Sequence, residues 1–220
     1  MYTYTENNVQ TVSFSSGDRI IVAPTFKPAK IIFRGDITSP SANANLRINE
    51  GGNPDDLTLE MVGWTQTFGP GSVIRAHLTG TGTIRLRGTP GAPLRITGNV
   101  EGNLVEAKDT VSPTATAEQG DAIFITGNIT SRNYEVDLNG TFTGDVNAKT
   151  WFRLGYNSTL TGNVKTNNGM AEFYAGSHVI GNVDAKGNLQ MWEDATEGIR
   201  KYKESKVTGN VRASVFRVQT

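Results

Sequence analysis

Apolar and polar residues alternate in short stretches along the whole chain, and the stretches stop at clusters rich in Gly, Asn, Asp and Pro. Tyr134, Val136 and Leu138 fall on one side and Glu135 and Asp137 on the other. Phe152 and Leu154 bracket Arg153, Leu189 and Met191 bracket Gln190, and Phe216 and Val218 alternate with Val215 and Arg217. A period of two is the spacing of β-strands, so each stretch predicts a short strand with one apolar row turned inward.

The punctuation between these strands repeats. Ile96-Thr97-Gly98-Asn99-Val100 returns as Ile125-Thr126-Gly127-Asn128-Ile129, Phe142-Thr143-Gly144-Asp145-Val146, Leu160-Thr161-Gly162-Asn163-Val164, Val179-Ile180-Gly181-Asn182-Val183 and Val207-Thr208-Gly209-Asn210-Val211. The glycines at 127, 144, 162 and 181 step by 17, 18 and 19 residues, and the flanking gaps of 29 and 28 residues fit one coil plus an insertion each. Leu78-Thr79-Gly80 reads as one further coil, 18 residues before Gly98. Helical repeats need longer units, so the fold class expected is all-β: a short β-solenoid with coils of about 18 residues.

Glycine suits a corner where φ turns positive or two backbones approach closely. Stacked corners would align Asn99, Asn128, Asp145, Asn163, Asn182 and Asn210 in a ladder of amides bonded from coil to coil, with Asp145 expected to interrupt it. At about 4.8 Å per coil, roughly seven coils after residue 78 would make a rod of about 30 to 35 Å.

Residues 1–76 alternate in the same way without the corner tripeptide: Val12 and Phe14, Ile20 and Val22, Ile31 and Phe33, Leu46 and Ile48, Leu57, Leu59 and Met61. They read as an N-terminal antiparallel β module or a solenoid cap, serving attachment or assembly, ahead of a solenoid over 77–220. Insertions are expected near 103–121 and 193–206, the second as a short amphipathic helix carrying Glu193, Glu197, Arg200, Lys201, Lys203 and Lys206.

Composition narrows the function classes. Only 36% of residues are apolar, and 25 are glycine, which suits many corners better than a thick core. With 21 basic and 21 acidic residues the net charge is zero, so the overall field selects neither nucleic acid nor membrane as partner, and only local patches could. No cysteine is present, which excludes disulfides, thiolate metal sites and a cysteine nucleophile. No signal-like apolar segment follows Met1, so the expectation is synthesis in the cytoplasm without a signal peptide.

No catalytic constellation, cofactor site or metal site is expected. His77 and His178 lack paired ligand spacing, and no phosphate-binding glycine loop or nucleophile elbow occurs. Glu135, Asp137, Asp145, Glu172 and Asp184 are the carboxylates that could pair for glycoside cleavage, but they read as ordinary outward or ladder positions. Sequons at Asn128, Asn139 and Asn157 follow from a repeat rich in Thr and Asn. Trp151, Tyr156, Tyr174, Trp192 and Tyr202 recur about once per coil and form the candidate contact surface, suited to stacking on each other, on a sugar or on a partner subunit.

Two resemblances follow from these residues. The opening Tyr2-Thr3-Tyr4-Thr5-Glu6-Asn7-Asn8-Val9-Gln10-Thr11-Val12, with Ser15-Ser16-Gly17-Asp18-Arg19-Ile20, resembles small β-rich virion proteins of tailed bacteriophages. That likeness implies a non-catalytic structural protein of the virion: a capsid decoration or short fibre, a homotrimer contacting other virion proteins, or a receptor- or glycan-binding module. The Gly-Asn/Asp-Val corner at this period resembles bactofilins, which implies an end-to-end cytoskeletal polymer. The chain differs from them in its large N-terminal module, its insertions and its aromatic coils.

Overall fold

A computed structural model describes residues 2–4, 15–22, 27–34, 43–109, 122–192 and 204–219. Their strands form three sheets of ten, nine and eight members. The first runs from Tyr2–Tyr4 to Lys206–Thr208, the second from Ala29–Arg34 to Val211–Arg212, the third from Thr65–Phe68 to Phe216–Gln219. Successive strands of the chain go to successive sheets, as in Thr141–Thr143, Val146–Ala148 and Phe152–Leu154. The three sheets are therefore the sides of a prism around which the chain winds, and eight coils supply a strand to every side. At about 4.8 Å per strand, the ten-stranded side is about 43 Å long.

All neighbouring strands pair in parallel and in register. Phe142 lies beside Ile125 and Leu160, Val164 beside Val146 and Val183, Leu154 beside Leu138 and Phe173. Equal positions thus stack into rows, and the inward rows make one continuous core from Ile20 to Met191. Large and small side chains alternate where the row is crowded: Phe152 sits next to Ala171, and its ring meets Phe173 edge-on at 5.9 Å.

The same winding already operates before residue 76. Ile20 pairs with Ile48 and that with Ile74, while Ile31 pairs with Leu59 and that with Leu78, all in parallel. Of the two alternatives expected for this region, an antiparallel module or a solenoid cap, the described strands do not follow the antiparallel one. Period-two alternation fits either direction. Of the insertion expected near 103–121, Leu104–Asp109 is a strand of the third sheet and residues 110–121 lie outside the described residues; of the helix expected over 193–206, residues 193–203 lie outside them and Lys206 begins the strand Lys206–Thr208.

The corner between the first and second sheets explains the repeated glycine. Gly98, Gly127, Gly144, Gly162, Gly181 and Gly209 all have φ between +134° and +153°. A Cβ at Gly162 would lie 2.1 Å from the Gly144 carbonyl oxygen, and each of the others would meet the carbonyl beneath it at 2.1 to 2.3 Å. Both the dihedral and the spacing exclude a side chain. Beneath Gly98 the corner residue is Ala76, and Gly80 instead lies within the second sheet beside Met61. The Leu78-Thr79-Gly80 reading is corrected accordingly: its resemblance to the tripeptide is local, and the coil there is longer than 18 residues.

Gly162→Val should cost roughly 3 kcal/mol or more, the sum of a forced positive φ and an overpacked corner. Gly91→Ala, at a turn with open space around the added Cβ, should stay within about 0.5 kcal/mol. Denaturant unfolding of both variants checks the contrast, and equal losses would remove the corner's special role.

Candidate functional site

The Asn residue after each corner glycine points along the rod. The backbone N–H of Asn128 donates to Asn99 Oδ1 at 2.9 Å, that of Asp145 to Asn128 Oδ1 at 2.9 Å, and that of Asn163 to Asp145 Oδ1 at 2.8 Å. Asn182 then donates to Asn163 Oδ1 and Asn210 to Asn182 Oδ1, both at 3.0 Å. Side-chain amides of Asn163 and Asn182 add a second bond to the same oxygens at 3.0 Å. The ladder is therefore built mainly on one acceptor oxygen per coil receiving the next backbone N–H, which an amide or a carboxylate supplies equally. Asp145 continues it rather than interrupting it.

His77 starts the series. Its Nδ1 accepts from the Asn99 backbone N–H at 3.0 Å, so the proton of the neutral ring sits on Nε2, 2.8 Å from Asp55 Oδ1. Sequence spacing assigned His77 no such role, because the ladder continues through a different residue type. A second corner is held by hydroxyls: Ser131 Oγ accepts from the Lys149 backbone N–H at 3.0 Å and Thr166 Oγ1 from that of Lys186 at 3.2 Å.

The aromatic residues do not form one surface. Tyr156, Tyr174 and Trp192 are stacked on successive coils at one corner, with centroids 5.3 and 6.2 Å apart. Burial, then the neighbouring Glu172 charge, raises the Tyr174 phenol above its ordinary pKa. Trp151 stands at another corner, its ring 5.0 Å from the Arg153 guanidinium. Tyr134 is exposed beside the same edge, turned out before the strand Val136–Leu138 begins. It therefore does not share the inward face of Val136 and Leu138. Tyr202 lies outside the described residues.

Three of the candidate carboxylates, Glu135, Asp137 and Glu172, are engaged by cations, while Asp145 accepts from Asn163 in the ladder. Arg153 reaches Glu172 at 2.8 Å, Glu135 at 3.6 Å and Asp137 at 3.7 Å, and Lys108 reaches Asp137 at 2.7 Å. Glu106 continues this chain of charges to Arg87 and, at 3.5 Å, Arg85. Asp184 lies between Lys165 and Arg212 in the register of the second sheet. The paired carboxylates interlock successive coils.

One surface departs from this self-sufficiency. In the coil containing Lys206–Thr208, Val211–Arg212 and Phe216–Gln219, the inward positions Val211, Phe216 and Val218 are 43, 55 and 50% exposed. Their counterparts one coil earlier, Val183, Leu189 and Met191, are buried. Each of the three strands is also the edge of its sheet. Among the described residues, the prism thus presents an apolar cross-section at this coil, rimmed by the edge strands of its three sheets.

A parallel β-helix with a glycine corner and an acceptor ladder belongs to the class of stacked-coil repeat proteins. The family model of bactofilins, described as polymer-forming cytoskeletal, matches residues 72–183, just over half of the chain. The chain belongs to the bactofilin family. No curated protein and no solved structure matches it. The family match overturns the reading as a structural protein of a phage virion. The N-terminal stretch that suggested that reading lies before residue 72 and held no diagnostic motif, whereas the repeated coils are what the family shares.

Asp145→Asn keeps the acceptor and should change stability by less than about 0.5 kcal/mol. Asn163→Ala removes an acceptor of two bonds and should cost about 1 kcal/mol. Urea titration of the two variants checks the order, which reverses if charge rather than acceptor geometry matters at this corner.

Proposed function

We propose that the protein is a non-catalytic cytoskeletal scaffold that assembles with copies of itself through the coil 206–219. The observation that carries this reading is the exposed apolar cross-section formed by Val211, Phe216 and Val218, with Val207 packed beside it. A second copy packed on that end would cover the exposed inward positions and give the edge strands of the three sheets a partner. Contiguous apolar surface of this kind is rare on soluble monomers and marks contact sites.

The driving force is burial of apolar area together with strand pairing, so assembly needs no nucleotide. The finer oligomeric expectation of a closed homotrimer requires contacts along a side of the prism. The end supplies the more apolar surface and favours an end-to-end contact.

Purified protein should form elongated assemblies without added nucleotide, seen by light scattering and negative-stain microscopy. Phe216→Glu combined with Val218→Glu should leave single rods with nearly unchanged melting, since both positions lie outside the packed core. A discrete trimer, or assemblies that survive the double variant, would reject the end as the contact.

A further inference from the structure

The three sides of the prism carry charge differently. The second and third sheets contain acidic and basic residues side by side, as in Glu60, Glu101 and Asp184 or Glu106, Asp137 and Glu172. None of the ten strands of the first sheet contains an Asp or a Glu. Its outward positions begin with Arg19, Arg47, Arg75 and Arg95 and continue with Phe124, Thr126, Thr141, Thr143, Thr159 and Thr161. Arg19, Arg47, Val73 and Arg95 share one register row spanning about 14 Å.

We propose that this side of the rod docks an acidic, extended segment of a partner protein, whose carboxylates are received by Arg75 and Arg95. The chain itself shows how the surface takes a carboxylate. Glu50, in the turn beside this sheet, sits between two of the arginines, 4.0 Å from Arg19 and 3.7 Å from Arg47. Among the described residues Arg75 and Arg95 have no carboxylate. Arg75 Nε donates to the Gly52 carbonyl at 2.7 Å, and the Arg95 guanidinium lies 4.2 Å over the Phe124 ring. Both guanidinia are held against the sheet and keep further N–H donors for a planar, two-oxygen acceptor.

The geometry favours a peptide over other anions. A net charge of zero gives no long-range pull on a duplex or a bilayer. Guanidinia held close to a flat sheet also act only at short range. An extended peptide can reach them there, and Thr97, in register with Arg75 and Thr126, offers hydroxyls for its backbone. The row ends about 24 Å from Lys206 by coil count, so the site stands apart from the end-to-end contact and neither reading depends on the other.

The test uses the full chain and a short fluorescent poly-L-glutamate, read by anisotropy at low salt. Arg75→Gln with Arg95→Gln should weaken binding about tenfold or more. Glu50→Gln, which removes the internal competitor from Arg19 and Arg47, should tighten it. Lys165→Gln, on the second sheet, should leave it unchanged, and matching melting curves show that the variants remain folded. Equal binding by the double arginine variant would overturn the proposal, as would looser binding by Glu50→Gln. So would preferential binding of a DNA duplex or of phosphatidylglycerol vesicles through the same arginines.

Discussion

The structure depends on a contact that leaves no room for a side chain. At each corner between the first and second sheets from Gly98 to Gly209, the carbonyl oxygen of one coil lies 2.1 to 2.3 Å from where the Cβ of the next would be. Glycine at positive φ is the residue that permits this approach. Once the corner is fixed, the rise and register of every coil follow, because the same chain continues into the second sheet within two residues. The backbone N–H of Gly144 donates to the Thr161 carbonyl at 2.9 Å and that of Val146 to the Asn163 carbonyl at 2.8 Å, so bonds to the next coil begin on both sides of the turn.

Register then decides what each side chain meets. In an in-register parallel stack, a residue's neighbours are its equivalents one coil away, and any incompatibility repeats along the rod. Asp137, Arg153 and Glu172 follow one another in a single row and alternate in sign. Tyr156, Tyr174 and Trp192 solve the same problem with rings. Threonine does so with hydroxyls on the first sheet, from Thr126 through Thr143 to Thr161. The arginine row breaks the pattern: Arg19 and Arg47 are stacked like charges, relieved by the single carboxylate of Glu50.

How much of this was legible depended on whether a feature was local in sequence. The corner tripeptide was, since Gly needs positive φ and the following Asn supplies the ladder acceptor within one residue. The solenoid and the ladder members could therefore be named from sequence. Strand direction before residue 76 could not, because alternation has the same period in parallel and antiparallel sheets. Asp145 was misjudged by treating the ladder as amide-to-amide, when the repeating bond is a backbone N–H donated to any side-chain oxygen. His77 escaped notice because its partners, Asp55 and Asn99, are 22 residues away on either side. Tyr134 shows the limit of pattern alone: the alternation through Leu138 is unbroken, yet the corner turns its ring outward.

A fold made by repeating one contact has no internal reason to stop. Each coil buries its inward row only by lying between two others, so an outermost coil must be covered by something unlike the repeat or by another copy of it. At the first coils the inward residues Ile20, Ile31 and Phe33 are buried. In the coil 206–219 the corresponding row is open. Among the described residues the inward row of that coil lacks the cover its counterparts have, which is the physical basis of the proposed end-to-end contact. Family membership and geometry meet on this point: the matched coils at 72–183 contain the stacking rule, and the proposed contact applies that rule at the coil 206–219.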